Sequence, residues 1–191
     1  MELLPAGQAA RVARLRDPSA RAASLLGIAL LCDCAQAAGI EPPLPGDLRF
    51  PAGGKPGWPA GRDFSISHAG QHVACAMAPP GVRVGLDIEP AGAAERAGLR
   101  LVADEAEEEG ICAAGLTATD LWTAKEAVAK LTGTGLTDVA NVVVAAATAR
   151  HGGLEYPLAR PRLAPGLCCT VAMSAGSMVE VREVQAGRLR R

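Results

Sequence analysis

The sequence predicts an α+β fold. Helical stretches are set beside short strands joined by tight Gly and Pro turns, and one strand pattern occurs twice. Residues 9–38 read as a long helical region with a break at Asp17-Pro18, where Asp suits an N-cap and Pro the first helical position. Leu25, Leu26, Ile28, Ala29 and Leu31 supply its apolar face. After a Pro- and Gly-rich loop (39–61), a meander is expected: Phe64–His68, His72–Ala78 and Val82–Glu89, with turns at Ala69-Gly70 and Pro79-Pro80-Gly81. Val73–Ala78 resembles Cys169–Ser174, and this weak repeat outlines two similar halves, a pseudo-dimer whose active site would lie in the cleft between them.

The remaining elements follow from pattern. Residues 93–132 are expected to be mostly helical with an interruption at Gly110–Gly115, and the acids Asp104–Glu109 read as a solvated helix start. Further strands are expected within 139–146, 154–158 and 167–184.

Composition narrows the function classes. With 191 residues, 49% of them hydrophobic and 20% charged, the chain can bury a real core. A net charge of −1 argues against a sequence-independent nucleic-acid binder. No apolar run approaches the roughly 18–20 residues of a membrane span, and the opening MELLPAGQAARVARLR lacks the order of a secretory signal. A soluble, cytoplasmic protein without membrane or nucleic-acid partners is the expectation. The six cysteines form no C-x-x-C pair and the three histidines no zinc spacing, so reduced structural thiols are expected.

Four patterns carry chemistry. In Val82–Glu89, Val82, Val84, Leu86 and Ile88 share one strand face and Asp87 and Glu89 the other. Two carboxylates on one face repel unless a cation intervenes, and oxygen-only ligation suits Mg²⁺. In the helix around Trp122–Lys130, the stripe Leu121, Ala124, Val128 and Leu131 is apolar, with Glu126 and Lys130 one turn apart on the opposite side. Phe64–Gly70 ends a strand in Ser67-His68. Neighbouring strand residues face opposite ways, so this pair is a poor nucleophile and base and a better anion contact. Basic residues gather near the N-terminus (Arg11, Arg14, Arg16, Arg21), and Lys55 sits on a rigid Gly-Lys-Pro turn. Each pattern alone is common on solvated surfaces. Their order and spacing are not.

Gly54-Lys55-Pro56, Phe64–His68, Gly85–Glu89 and Trp122–Lys130, in that order, resemble the 4′-phosphopantetheinyl transferases, most closely the surfactin-synthetase-activating type, which carries both half-repeats in one chain. The resemblance runs from about Arg11 to Ser174 and implies an α+β pseudo-dimer of residues 1–84 and 85–191, active as a monomer. The implied activity is transfer of the phosphopantetheine arm of coenzyme A to a serine of an acyl or peptidyl carrier protein, releasing adenosine 3′,5′-bisphosphate. Asp87, Glu89 and Glu126 would hold Mg²⁺, with Mn²⁺ also acceptable. Glu126 would serve as base and Lys130 would stabilise or protonate the leaving phosphate. Lys125 would contact the same phosphates. Ser67, His68, Lys55, Arg11 and Arg16 would bind the nucleotide end of coenzyme A. The alternative from another class is a non-catalytic module that binds carrier protein or coenzyme A.

Overall fold

The structure, a computed structural model, describes residues 17–51, 54–59, 61–94, 99, 102–176 and 179–182. Helix α1 (Pro18–Ala37) starts at the expected Asp17 cap, whose carboxylate accepts the Ser19 N–H at 2.9 Å. The expected helical residues 9–16 lie outside the described residues, as do Arg11, Arg14 and Arg16. A single 3₁₀ turn (Pro45–Asp47) and one bridge between Arg49 and Gly57 order part of the following loop. Strands β1 (Phe64–Ala69) and β2 (His72–Met77) form an antiparallel hairpin. Strand β3 (Val84–Pro90) is followed by α2 (Glu105–Ala113), α3 (Ala118–Thr132), a 3₁₀ segment (Leu136–Asn141), and strands β4 (Val143–Val144), β5 (Thr148–His151), β6 (Leu154–Ala159) and β7 (Leu167–Met173). The larger sheet has the order β3-β7-β6-β5-β4 with every pair antiparallel. This is the expected α+β class, and the two repeat copies fall on β2 and β7.

The strand expected within 139–146 is the two-residue β4, preceded by a 3₁₀ turn. Strand β5 was missed because only Ala149 of its four residues is buried, so no apolar run marks it. Strand β7 ends at Met173, and residues 179–182 are irregular. In addition, α1, at 20 residues with a mean hydropathy of 1.3, is long and apolar enough to cross a membrane, although Arg21 and Asp33 break any uninterrupted run. Here its stripe of Ala23, Gly27, Leu31 and Ala35 is buried, and the helix packs against β2.

Helix α3 is the centre of the molecule. Thr117 caps it with a reciprocal pair, accepting from the Asp120 N–H at 3.2 Å while Asp120 accepts from the Thr117 N–H at 2.9 Å. Gly133 ends it in the left-handed conformation, φ 81°. Leu121, Ala124, Val128 and Leu131 are buried as the periodicity predicts, against Val142, Val144, Ala149, Tyr156 and Ala172. The face of β3 bearing Val84, Leu86 and Ile88 packs instead with Val171 and Met173 of β7. Between α3 and β3 there is no room for a side chain at Gly85, where a Cβ would stand 1.9 Å from the Ala127 carbonyl oxygen and 2.6 Å from the Leu131 nitrogen. Both are backbone atoms and cannot step aside. Gly85→Ala should therefore force the helix off the strand and cost about 3 kcal/mol, within the range for overpacked cores. Urea unfolding of the two proteins checks this, and equal midpoints would contradict the close approach.

Candidate active site

The strand β3 and the helix α3 converge on one point. One carboxylate oxygen each from Asp87, Glu89 and Glu126 lies within 4.8 Å of the others. Asp87 and Glu89 share the face of β3 that meets α3, and Glu126 comes from the helix across it. Asp87 is the most buried of the three, with its side chain only 2% exposed. Its Oδ1 accepts a hydrogen bond from Ser67 at 2.8 Å and from the Lys130 ammonium at 2.6 Å. The Ser67 hydroxyl accepts in turn from Lys130 at 3.0 Å and from the Ile88 N–H at 3.4 Å, which completes its capacity of one donor and two acceptors. Asp87 Oδ2 is buried and has no hydrogen-bond partner among the described residues.

Hairpin β1–β2 reaches this point through side chains. Asp63, Ser65 and Ser67 accept the N–H groups of Val84, Leu86 and Ile88 at 2.7, 3.0 and 3.4 Å. Their two-residue spacing matches the outward-pointing N–H groups of β3, whose other edge is paired with β7. Asp63 and Ser65 were not singled out in the sequence. Their signal was present as the alternating polar positions of Asp63–Ser67.

Two of the acids are shifted by their surroundings. Burial, and then the charges of Asp87 and Glu89 against the opposing pull of Lys130, push the Glu126 carboxyl up to about 7. Glu89 is also raised, by burial and then by Asp87, with the Lys130 charge, a hydrogen bond from Trp122 and the more distant His68 pulling the other way. Trp122 is thus an orienting partner for Glu89 that the motif contained without assigning it a role.

The other expected site residues divide. His68 is exposed at the hairpin end of β1, close enough to act electrostatically on Glu89 and, behind the stronger effect of Ser19, on Asp17 at the start of α1. Lys55 is committed to structure. It pairs with Asp63 and donates to the Val84 carbonyl at 2.7 Å, with its side chain 11% exposed. Lys125 is not brought to the cluster. Its ammonium is 1% exposed, 2.8 Å from Glu107 Oε2, and also donates to the Val142 carbonyl. Glu107 in turn accepts the Val144 N–H at 2.5 Å. This one buried ion pair ties α2 to α3 and β4, and takes Glu107 out of the solvated helix start expected at Asp104–Glu109.

Could the cluster hold a cation? An all-oxygen donor set suits a hard divalent ion, and the orphaned Asp87 Oδ2 is a buried acceptor in want of a partner. The residues fit. Residues 83–161 match the family model described as the 4′-phosphopantetheinyl transferase superfamily. No curated protein sequence matches the chain. The matched stretch contains Asp87, Glu89, Glu126, Lys125 and Lys130, and leaves Lys55, Ser67 and His68 outside it.

Two outcomes follow from the charges. Glu126 has a folded-state pKa above its ordinary value of 4.5, so its contribution to stability is present below about pH 4.5 and lost as pH rises to about 7. Metal-free protein should lose unfolding free energy across that window, Glu126→Gln should flatten the slope, and added Mg²⁺ should raise the melting temperature more at about pH 8 than at about pH 6. Thermal melts across pH with and without Mg²⁺ test all three statements. For the buried pair, Lys125→Ala strands the Glu107 charge and should cost about 3–5 kcal/mol, whereas Lys125→Met with Glu107→Gln should recover much of it. A mild single mutant in denaturant titration would contradict the pairing.

Proposed function

We propose that this chain is a 4′-phosphopantetheinyl transferase of the surfactin-synthetase-activating type, a cytoplasmic monomer acting on an acyl or peptidyl carrier protein. The observation that carries this reading is the convergence of Asp87, Glu89 and Glu126 around an unpartnered carboxylate oxygen, inside the stretch that matches the superfamily. On this reading residues 1–84 and 85–191 are the two halves of a pseudo-dimer. The acids of β3 and α3 meet Ser67 and Lys130 where the two halves touch.

Asp87, Glu89 and Glu126 would hold Mg²⁺ or Mn²⁺, which when bound neutralises charge on the coenzyme A pyrophosphate. The chain's own residues do the rest. The carrier serine oxygen attacks the phosphorus that bears the pantetheine arm, a new P–O bond forms, and the bond to the bridging oxygen breaks to release adenosine 3′,5′-bisphosphate. Glu126 takes the serine proton directly or through a water. Lys130, held by Asp87 and Ser67, presents its remaining N–H to the departing phosphate. The phosphate role that the motif implied for Lys125 passes to Lys130. His68, Arg11 and Arg16 are proposed as contacts for the nucleotide end.

Intact-protein mass spectrometry of an apo carrier protein with coenzyme A, Mg²⁺ and this protein should show a gain of about 340 Da, the mass of the phosphopantetheine arm. The gain should vanish with EDTA and be at least about 10²-fold slower with Glu126→Gln. Absence of the gain on acyl, polyketide and peptidyl carriers, with coenzyme A still bound, would instead favour a non-catalytic binding module.

A further inference from the structure

Helix α3 carries Glu126 between two attachments to the larger sheet. Just past Glu126, the helix backbone at Ala127 and Leu131 lies against Gly85 of β3. One turn before it, Thr123 meets Thr170 of β7, with 2.8 Å between the two hydroxyl oxygens. Both threonines are fully buried, beside the apolar stripe of Leu121, Ala124, Val128 and Leu131. The register of β3 on β7 makes Thr170 the direct partner of Asp87, and both side chains reach α3, Asp87 at Lys130 and Thr170 at Thr123. We infer that Thr123 and Thr170 are positioning residues for the acid cluster, their hydroxyl pair fixing how Glu126 faces Asp87 and Glu89. The inference rests on the metal-binding reading of the transferase site and names the groups that keep its three acids in place.

The protons of the pair can be assigned. The Thr123 hydroxyl donates to the Asp120 carbonyl at 3.2 Å. A hydroxyl has one proton, so Thr170 is the donor to Thr123, and the chain of bonds runs from β7 through Thr123 into the first turn of α3. Thr170 therefore has no proton left for Asp87, its cross-strand neighbour at about 4.5–5.5 Å between Cβ atoms, and Asp87 Oδ2 stays open to a cation. The attachment is also directional. Two valines of the same shape would pack here with little change in stability, because exchanging both partners of a buried hydrogen bond for apolar groups is nearly neutral. A contact between methyl groups is satisfied over a range of helix rotations, whereas an O–H···O bond confines both distance and angle. Mg²⁺ demands near-ideal octahedral geometry, so it is sensitive to that difference. Loosening α3 at Thr123 would shift the Glu126 carboxylate against the two acids of β3, while the contact at Gly85 stayed in place.

The test is calorimetric titration of the metal-free full chain with Mg²⁺, alongside urea unfolding, for wild type and two double variants. Thr123→Val with Thr170→Val should keep the wild-type urea midpoint but bind Mg²⁺ at least about tenfold more weakly, the usual effect of losing a group that orients metal ligands. Thr123→Ser with Thr170→Ser, which keeps both hydroxyls, should stay within about threefold of wild type. In the carrier-protein assay the valine pair should raise the KM for Mg²⁺ more than it lowers kcat at saturating Mg²⁺. Wild-type Mg²⁺ affinity in the valine variant would overturn the inference and leave the transferase reading standing. So would equal weakening in the serine variant, or a valine variant that fails to fold or loses stability along with affinity, since the pair would then serve the core alone. A wild-type chain that binds no Mg²⁺ would remove the metal reading and this inference together.

Discussion

Strand β3 lies at the edge of its sheet, and its Val84, Leu86 and Ile88 N–H groups point away from β7. Left unpaired in a buried setting, each would cost about 1–3 kcal/mol. The chain takes them up with the side-chain oxygens of Asp63, Ser65 and Ser67 rather than with another backbone. Each of the outer two oxygens has a second task. Asp63 holds Lys55, which returns a hydrogen bond to Val84, and Ser67 donates to Asp87. Attachment of the hairpin and orientation of the key acid are therefore one device, and loss of the Ser67 hydroxyl would disturb both.

This arrangement sets up an electrostatic imbalance. Three carboxylates are gathered where Lys130 is the chief opposing charge among the described residues, 2.6 Å from Asp87 and 3.8 Å from Glu126. Helix α3 cannot back away, because its close fit on β3 at Gly85 is what packs the core. The protein relieves the strain partly by protonation, which is the physical content of the raised Glu126 and Glu89 carboxyls. One oxygen, Asp87 Oδ2, is left with nothing. A rigid scaffold that holds acids in mutual repulsion is suited to a cation and costly for any other purpose.

Much of this was legible in the sequence, and the parts that were not share a cause. The alternation of Val84–Glu89 placed both acids on one face, and the 3.6-residue period of Leu121–Leu131 placed Glu126 and Lys130 away from the core stripe. These are local regularities. The Asp63–Ser67 ladder and the Lys125–Glu107 pair join residues far apart in the chain, and no period or spacing reports which polar residue will find which partner. Lys55 shows the same limit. A lysine on a Gly-Pro turn resembles a phosphate ligand until the fold supplies Asp63 eight residues later as a buried counter-charge.

The two lysines of the helical motif, by contrast, could have been separated on geometry. At about 100° per residue, Lys130 lies only about 40° around the helix from Glu126, whereas Lys125 lies about 140° from Lys130. One helix face cannot present both, and the structure sends Lys125 to Glu107 and Val142. On the proposed reading this leaves a site with three negative groups and one positive. Alone it would repel a pyrophosphate. A divalent cation brings the formal sum to zero, so the acid cluster can accept the substrate's phosphates only together with the ion. The remaining positive charge for the nucleotide end must then come from elsewhere, and among the described residues His68 stands at the exposed end of β1, near the start of α1.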